Sequence, residues 1–420
     1  MLLLLSSNVG SKRILLVLCP SEVDLRRLLS RVTPTLSPAV RQICPYPLLG
    51  CSAESSFGEV RHSSSLVSPS KSAQPIRKGT GGRSSVSGFV ATVFGATGFL
   101  GRYVVQQLAR MGSQVFVPYR GLEDEFKHLK LMGDLGQVVP VKFDCRDEES
   151  IKAAISRSNV VINLIGRDFE THNFSFDELN VSIPDRLSRL AREHGGISRY
   201  IQVSCLGASP ESPAKQYRTK AEGEKLTQEN FPEATVLRPA AFVGTEDRLL
   251  NKWAVFAKKM PTVPIIGSGN NKLQPVHVLD VAAAVVAAIK DDGSSIGKTY
   301  ELGGPDVFTV NELVALVFES IREEPRVTHI PVEFAKVMAG SFEWLKGLSI
   351  PTPKMVTFSR NNVDAQLVDM VVSPDALTFK DLGITPRKLS GVAIEHLYQW
   401  RTGGPAVGST VGSRTSGAGF

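Results

Sequence analysis

The pattern of hydrophobic and polar positions becomes regular from about residue 89. Short β-branched and aromatic runs then alternate with longer segments whose apolar positions recur every three or four residues. The predicted strands are residues 89–94, 114–118, 138–143, 159–164, 199–204 and 234–238, and the predicted helices are residues 99–111, 148–157, 177–194 and 214–229. Pro184 lies inside the third helix and is expected to kink or shorten it. This alternation predicts an α/β fold with a doubly wound parallel sheet.

The alternation loosens after residue 240, which indicates a smaller C-terminal α/β lobe. The pattern predicts a loop at 261–269, a strand at 275–279 and an apolar helix at 281–289. Thr309 and Glu312 form a predicted capping box before a helix at 313–321. A further apolar stretch runs from Phe334 to Leu345. We interpret this stretch as a core helix, with an interfacial surface on lipid or partner subunits as the alternative.

Three glycines spaced three apart, Gly95, Gly98 and Gly101, join the first strand to the first helix. The first allows a sharp turn, the second lets backbone N–H groups approach phosphates, and the third lets the helix pack closely on the sheet. The turn therefore predicts a Rossmann site for a dinucleotide pyrophosphate, with an ordinary glycine turn as the alternative. The other predicted contacts of this turn are Thr97, Phe99 and Leu100.

Arg120 follows the second strand, at the position that selects between the two nicotinamide dinucleotides. A carboxylate here accepts hydrogen bonds from a ribose 2′-hydroxyl, whereas an arginine suits a 2′-phosphate. The sequence therefore predicts NADPH rather than NADH, with a solvated surface arginine as the alternative.

Two further strand ends are predicted to contact the cofactor. Asp144, after the third strand, is placed to accept from the adenine amino group or to form a turn. The fourth strand ends in Asn163, and the residues after it, Leu164, Ile165 and Gly166, let the chain pass close to the cofactor. The alternative is that Gly166 simply ends the strand.

The glycine spacing resembles that of the short-chain dehydrogenase/reductase superfamily, in its extended or atypical branch. That resemblance implies a catalytic tyrosine four residues before a helical lysine, assisted by a serine at a neighbouring strand end. Ser204 and Lys220 fit the serine and lysine positions, but the tyrosine position holds Gln216. Tyr217 is offset by one residue, or about 100° around a helix.

Glutamine cannot serve as a proton donor with a tuned pKa. The residues therefore predict loss of catalysis, with Ser204, Tyr217 and Lys220 as vestiges and a rearranged working site as the alternative. Ser204 and Lys220 remain predicted cofactor contacts. The resemblance adds Pro239 and Phe242, in the segment that closes over the nicotinamide. No metal site is predicted, and we assign His172, His194 and His277 ordinary polar or core roles.

Charge separates the first 85 residues from the rest of the chain. They hold 11 Lys and Arg but 4 Asp and Glu, so the net charge of +7 lies entirely in this segment. Because the remainder is formally neutral, a nucleic-acid partner is disfavoured. The segment is rich in Ser and Arg, and Leu25, Leu28, Leu29 and Val32 stand at helical spacing. This composition is typical of a mitochondrial presequence, with a chloroplast transit peptide or a disordered cytosolic tail as alternatives.

These features predict four segments. They are a disordered presequence at 1–85, an NADPH-binding Rossmann core at 86–245, a C-terminal lobe with a partner surface at 246–401, and a disordered tail at 402–420.

Several stretches outside the generic cofactor pattern resemble the family of NADPH-binding accessory subunits of mitochondrial respiratory complex I. They are residues 87–104, 110–114, 118–120, 128–129, 132–136, 158–168, 220–225 and 231–234. The resemblance covers about residues 84–290 well and the C-terminal third loosely.

It implies a peripheral subunit on the matrix side of the inner membrane, at the junction of the two arms beside the quinone site. Other complex I subunits, and lipid at the C-terminal lobe, are the implied partners. The bound nucleotide would be structural. The alternative is an active NADPH-dependent reductase or epimerase acting on a small or lipid-like substrate.

Overall fold

The computed structural model describes residues 87–290, 293–347 and 359–402, without the side chains of 344–347 and 390, and the backbone of two short strands near the N-terminus. Those strands, β1 (Leu5–Val9) and β2 (Lys12–Leu16), form an antiparallel pair. The rest of the predicted presequence and the predicted tail beyond residue 402 lie outside the described residues.

Strands and helices alternate from residue 90 onward. The strands are β3 (Val90–Phe94), β4 (Gln114–Tyr119), β5 (Val138–Lys142), β6 (Val160–Asn163), β7 (Arg199–Val203), β8 (Thr235–Pro239), β9 (Phe242–Val243), β10 (Val263–Ile266), β11 (Lys272–Leu273), β12 (Val276–His277), β13 (Thr299–Leu302), β14 (Phe308–Thr309) and β15 (Val327–Ile330). The helices are α1 (Phe99–Arg110), α2 (Asp124–Lys130), α3 (Glu148–Ile155), α4 (Ile183–His194), α5 (Lys215–Asn230), α6 (Leu250–Lys259), α7 (Val278–Lys290), α8 (Val310–Ile321), α9 (Val332–Gly347), α10 (Arg360–Gln366) and α11 (Leu389–Leu397).

The main sheet of the described chain has seven parallel strands in the order β13-β8-β7-β6-β3-β4-β5. The chain proceeds in one direction from β3 to β5, then returns to β6 and proceeds in the other. The strand order therefore reverses between β3 and β6, which is where ligands bind in sheets of this kind. The predicted doubly wound α/β fold is confirmed.

Helices cover both faces of this sheet because its central strands are apolar on both faces. On one face, Val93 belongs to a buried cluster with Val104 and Leu108 of α1 and side chains of α7. On the other, Phe94 belongs to a cluster with Ile151 of α3 and side chains of α4. A third cluster lies in the C-terminal lobe, where α6, α8 and α11 pack together.

The structure corrects three predicted elements. The predicted loop at 261–269 contains a strand, β10, which pairs in parallel with β15. The predicted strand 275–279 is too long. Only Val276–His277 is a strand, which pairs with β9, and the chain is helical from Val278. Nδ1 of His277 accepts the backbone N–H of Leu279 at 3.3 Å and satisfies a donor in the first helical turn. The predicted helix 177–194 is a π-helical turn at Glu178–Ser182 followed by α4.

Pro184 accounts for that division, because it lies at the start of α4, where its missing N–H does no harm. The prediction missed α2 and the edge strand β13. The predicted capping box is confirmed, with reciprocal hydrogen bonds between Thr309 and Glu312 of 2.7 and 3.2 Å.

Among the helices of the described residues, none combines the length and apolar character that a membrane span requires.

Two histidines connect the C-terminal helix α11 to the core. The Nε2 atoms of His277 and His396 lie 3.1 Å apart, and Nδ1 of His396 lies 3.1 Å from Thr245 Oγ1. Because His277 Nδ1 already accepts a backbone N–H, its proton is on Nε2 and is donated to His396. His396 then donates from Nδ1 to Thr245. Both rings must be neutral to make these bonds.

Acidification is expected to weaken this connection. Burial, followed by the neighbouring His396, lowers the pKa of His277 from 6.5 to about 4, and burial also lowers the pKa of His396. The folded state therefore binds fewer protons than the unfolded state. The stabilisation is complete above about pH 6.5 and is lost as the pH falls toward 4.

Between pH 7.5 and 5 we expect a loss of about 2 kcal/mol in the free energy of unfolding, measured by denaturant titration. Replacing both histidines by glutamine should remove most of this pH dependence, whereas His172→Gln on the surface should preserve it. An unchanged slope in the double variant would contradict the assignment.

Candidate dinucleotide-binding site

The glycine turn after β3 is held too tightly for larger residues. Gly95 has a φ of +81°, and a Cβ there would lie 3.0 Å from the carbonyl carbon of Leu164. A Cβ on Gly101 would lie 2.5 Å from the Cα of Ala96. Helix α1 and the chain after β6 therefore both approach the turn at backbone distance, as the glycine spacing predicts.

Helix α1 begins with its backbone donors available. Gly98 precedes it, and within the described chain its first turn has neither a side-chain cap nor an acidic residue. The side chain of Leu100 is buried in the core, so this residue offers a ligand its backbone N–H. Thr97 is half-buried beside these groups. Unpaired N–H groups and the helix dipole together favour a bound anion such as a pyrophosphate.

The segment after β8 covers the start of this helix. The ring of Phe242 packs edge-on against Phe99, with centroids 6.2 Å apart. Gly244 leaves space for the same ring, because a Cβ there would lie 2.8 Å from Phe99 Cζ. The carbonyl of Pro239 accepts the N–H of Leu206 at 2.8 Å, which fixes the end of β8. The structure thus places Pro239 at the end of β8 and brings Phe242 to the glycine turn.

The chain after β6 connects the turn to Lys220. Leu164 donates its N–H to the carbonyl of Phe94 at 2.9 Å, and Ile165 donates to Asn163 Oδ1 at 3.0 Å. At Gly166 a Cβ would lie 3.6 Å from the Lys220 ammonium. A small residue therefore leaves this ammonium accessible from the β6 side.

Ser204 is the residue that most clearly fits a hydrogen-bonding ligand. Lys220 Nζ donates to the carbonyl oxygen of Ser204 at 3.3 Å. The Oγ of Ser204 is buried, and none of the described residues offers it a hydrogen bond. Burying a hydroxyl unpaired costs about 1–3 kcal/mol, so a ligand that hydrogen-bonds here would recover that energy. The residues present fit a nicotinamide dinucleotide.

The carboxyl ends of β4 and β5 carry the remaining predicted contacts. Arg120 is exposed, its guanidinium carbon lies 4.6 Å from the centroid of the Phe174 ring, and its Nη1 lies 3.9 Å from Cys145 Sγ. Asp144 Oδ1 accepts the N–H of Arg146 at 3.0 Å, so this carboxylate forms the turn that we gave as one of its two roles. Because β4 and β5 pair in parallel, Arg120 and Asp144 both lie at the carboxyl-end edge of the sheet.

Tyr217 lacks the surroundings of an acid/base residue. Its side chain is 4% exposed and packs in an apolar cluster with Ala214 and Ala365. Burial raises the pKa of its phenol well above the ordinary value, whereas a catalytic tyrosine needs a lowered one. Gln216 stands where the short-chain dehydrogenase/reductase superfamily has its tyrosine. It is hydrogen-bonded to Asn361 of α10: its backbone N–H donates to Asn361 Oδ1 at 3.2 Å, and its Oε1 accepts from Asn361 Nδ2 at 3.4 Å.

Three residues at the site were not predicted from the sequence: Phe174, Arg146 and Asn361. Phe174 and Arg146 lie in loops, and Asn361 comes from the C-terminal third of the chain. No spacing or motif distinguishes these residues in the sequence, since their contacts arise only from tertiary folding.

The amino-acid sequence and the fold were compared with those of known proteins. The NAD dependent epimerase/dehydratase family matches residues 91–303. NADH dehydrogenase (ubiquinone) 1 alpha subcomplex subunit 9, mitochondrial, of Arabidopsis thaliana is 58% identical over 355 residues, covering 84% of this chain and 88% of that protein. The Mus musculus protein of the same name is 42% identical over 328 residues, covering 78% and 84%.

An NADPH-dependent quinone oxidoreductase from Escherichia coli, solved with NADPH, has a TM-score of 0.57 at 20% identity. The likeness covers 74% of this chain and 100% of that one. At this identity the likeness shows a shared fold.

The chain therefore belongs to the NAD dependent epimerase/dehydratase family. Within that family, the mitochondrial subunit 9 proteins resemble it over most of its length. The resemblance inferred from the sequence is confirmed.

Gly101→Ala tests whether the close approach of α1 makes the site. The new Cβ would overlap the backbone of Ala96, so the helix must move away from the turn. We expect at least a tenfold loss of NADPH affinity in calorimetric titration and a destabilisation of about 1–3 kcal/mol.

Gly391→Ala is the matched control, because a Cβ there meets nothing within 4 Å. Equal affinity of Gly101→Ala and wild type would show that the turn does not form the binding site.

Proposed function

We propose that this protein is a non-catalytic accessory subunit of mitochondrial complex I that holds NADPH as a structural cofactor. The observation that carries the proposal is Gln216, which stands in place of the proton donor in an otherwise assembled pocket. Support for the complex comes from relatives that are named as its subunits over most of this chain.

The choice of NADPH rests on Arg120. Its guanidinium has no carboxylate partner within the described part of the chain and lies beyond β4, where the adenine ribose binds in this fold. A 2′-phosphate there would form a charge-assisted hydrogen bond instead of meeting a repelling carboxylate.

A permanently bound dinucleotide would act as a brace. The predicted contacts lie at the ends of β3, β4, β6, β7 and β8, so one ligand joins strands on both sides of the switch point. A ligand that binds the folded state stabilises it by about 2.7 kcal/mol at a free concentration of 100 Kd. This effect requires no chemistry, which accounts for an intact pocket without a tuned tyrosine.

Helix α9 supplies a surface for assembly. Ala335 and Ala339 face the lobe and are buried, while Phe334 and Val337 are 61% and 67% exposed on the outer side. Exposed apolar side chains on one helix face are typical of an interaction surface. We assign this face to contacts within the complex, with lipid or neighbouring subunits, at a peripheral position on the matrix side near the quinone site.

The selection of NADPH is tested by Arg120→Ala. Losing the guanidinium should lower NADPH affinity by about tenfold to a hundredfold and leave NADH affinity within about twofold. Arg157→Ala, which removes a similarly exposed guanidinium elsewhere in the same domain, should change neither. Fluorescence titration with both nucleotides measures the ratio, and an unchanged preference for NADPH in Arg120→Ala would refute the role.

A structural cofactor should not turn over. The alternative, a working reductase or epimerase, is supported by Ser204 and Lys220, which remain beside each other. We expect the purified chain to retain NADPH and to show no oxidation above background with a broad panel of carbonyl compounds. Sustained oxidation that Tyr217→Phe abolishes would establish the enzyme instead.

A further inference from the structure

Two guanidinium groups stack on one aromatic ring at the edge of the predicted adenine side of the site. The guanidinium carbons of Arg120 and Arg146 lie 4.6 and 4.7 Å from the centroid of Phe174. Phe174 itself is half-buried. It packs against the apolar cluster that contains Phe94 and side chains of α3 and α4, and this packing fixes the position of its ring.

The two arginines differ in their charge partners. Arg146 forms a two-pronged ion pair with Glu178, with N···O distances of 2.6 and 3.0 Å, and donates to the carbonyl of Asn173 at 2.6 Å. The pair raises the pKa of Arg146 and lowers that of Glu178. The positive charge of the Arg146 guanidinium is therefore balanced by the Glu178 carboxylate. Its hydrogen bond to Asn173 holds the loop that carries Phe174.

Arg120 has a different environment. Apart from the ring, its contact among the described residues is with Cys145 Sγ at 3.9 Å, and sulfur is a weak acceptor. No carboxylate of the described residues pairs with it, so its charge remains available for an external anion. The ring restricts the long side chain without consuming a hydrogen-bond donor, because stacking uses the face of the guanidinium plane.

We propose that Phe174 is the positioning residue that sets selectivity for a 2′-phosphorylated dinucleotide, by holding the Arg120 guanidinium at the end of β4. The inference rests on the proposed binding of NADPH and adds a second residue to its specificity. An arginine ordered before binding loses less conformational freedom when the phosphate arrives, so the ring contributes to affinity for the phosphate without touching it.

The test compares NADPH with NADH, and 2′,5′-ADP with 5′-AMP, by titration of the full chain. Phe174→Leu should reduce the NADPH preference about tenfold and leave NADH affinity within about twofold. Phe174→Tyr, which keeps the ring, should retain the preference. Phe169→Leu is the matched control, because Phe169 lies in the same loop and also has two arginines within 6 Å of its ring centroid, at 5.6 and 5.8 Å.

A double-variant measurement separates positioning from general damage. In the Arg120→Ala background, Phe174→Leu should cause no further loss of preference, since the group that it positions is gone. Phe174→Met is measured alongside, so that the test does not depend on the folding of one variant.

The outcomes separate this inference from the proposed function. If wild type shows no preference for NADPH, both fail. If Arg120→Ala abolishes the preference but Phe174→Leu and Phe174→Met keep it, the ring has no positioning role and the proposed cofactor stands. A loss of affinity that is equal for both nucleotides would mean that Phe174 is structural, and would overturn the inference.

Discussion

The backbone contact between helix α1 and the turn after β3 is the constraint on which the site depends. Gly101 allows the helix to lie against Ala96, and Gly95 allows the chain after β6 to lie against the turn. These two approaches bring the start of α1 and the chain after β6 together beside the switch point between β3 and β6, where the strand order reverses. Any side chain at these positions would separate the elements that form the pocket.

The polar groups around this pocket are arranged to hold a ligand. Lys220 and Ser204 lie together near the β6 side, and the serine hydroxyl has no partner among the described residues. Gln216 is engaged by α10, and Tyr217 is enclosed in apolar packing with a raised pKa. The C-terminal segment therefore engages Gln216 through Asn361 and encloses Tyr217 through Ala365, which supports the proposal of a pocket that binds without catalysis.

Much of this organisation could be predicted from local sequence. Strand and helix periods, the glycine spacing and the capping box at Thr309 depend on neighbouring residues, and the structure confirms them. The end of the strand at Val276 could not be predicted, because a side-chain cap from His277 starts the helix early. The contacts of Phe174 and Asn361 were also missed, since they join segments far apart in the chain. Whether the predicted residues bind a nucleotide stays a prediction.

The central claim is that the folded chain retains a 2′-phosphorylated dinucleotide as part of a larger assembly. Native mass spectrometry of the intact respiratory complex, followed by release of this subunit and its bound nucleotide, measures that claim most directly. We expect one NADP(H) per copy of the subunit, released only when the subunit unfolds. A subunit that is absent from the complex, or that carries no nucleotide or only NAD(H), would contradict it.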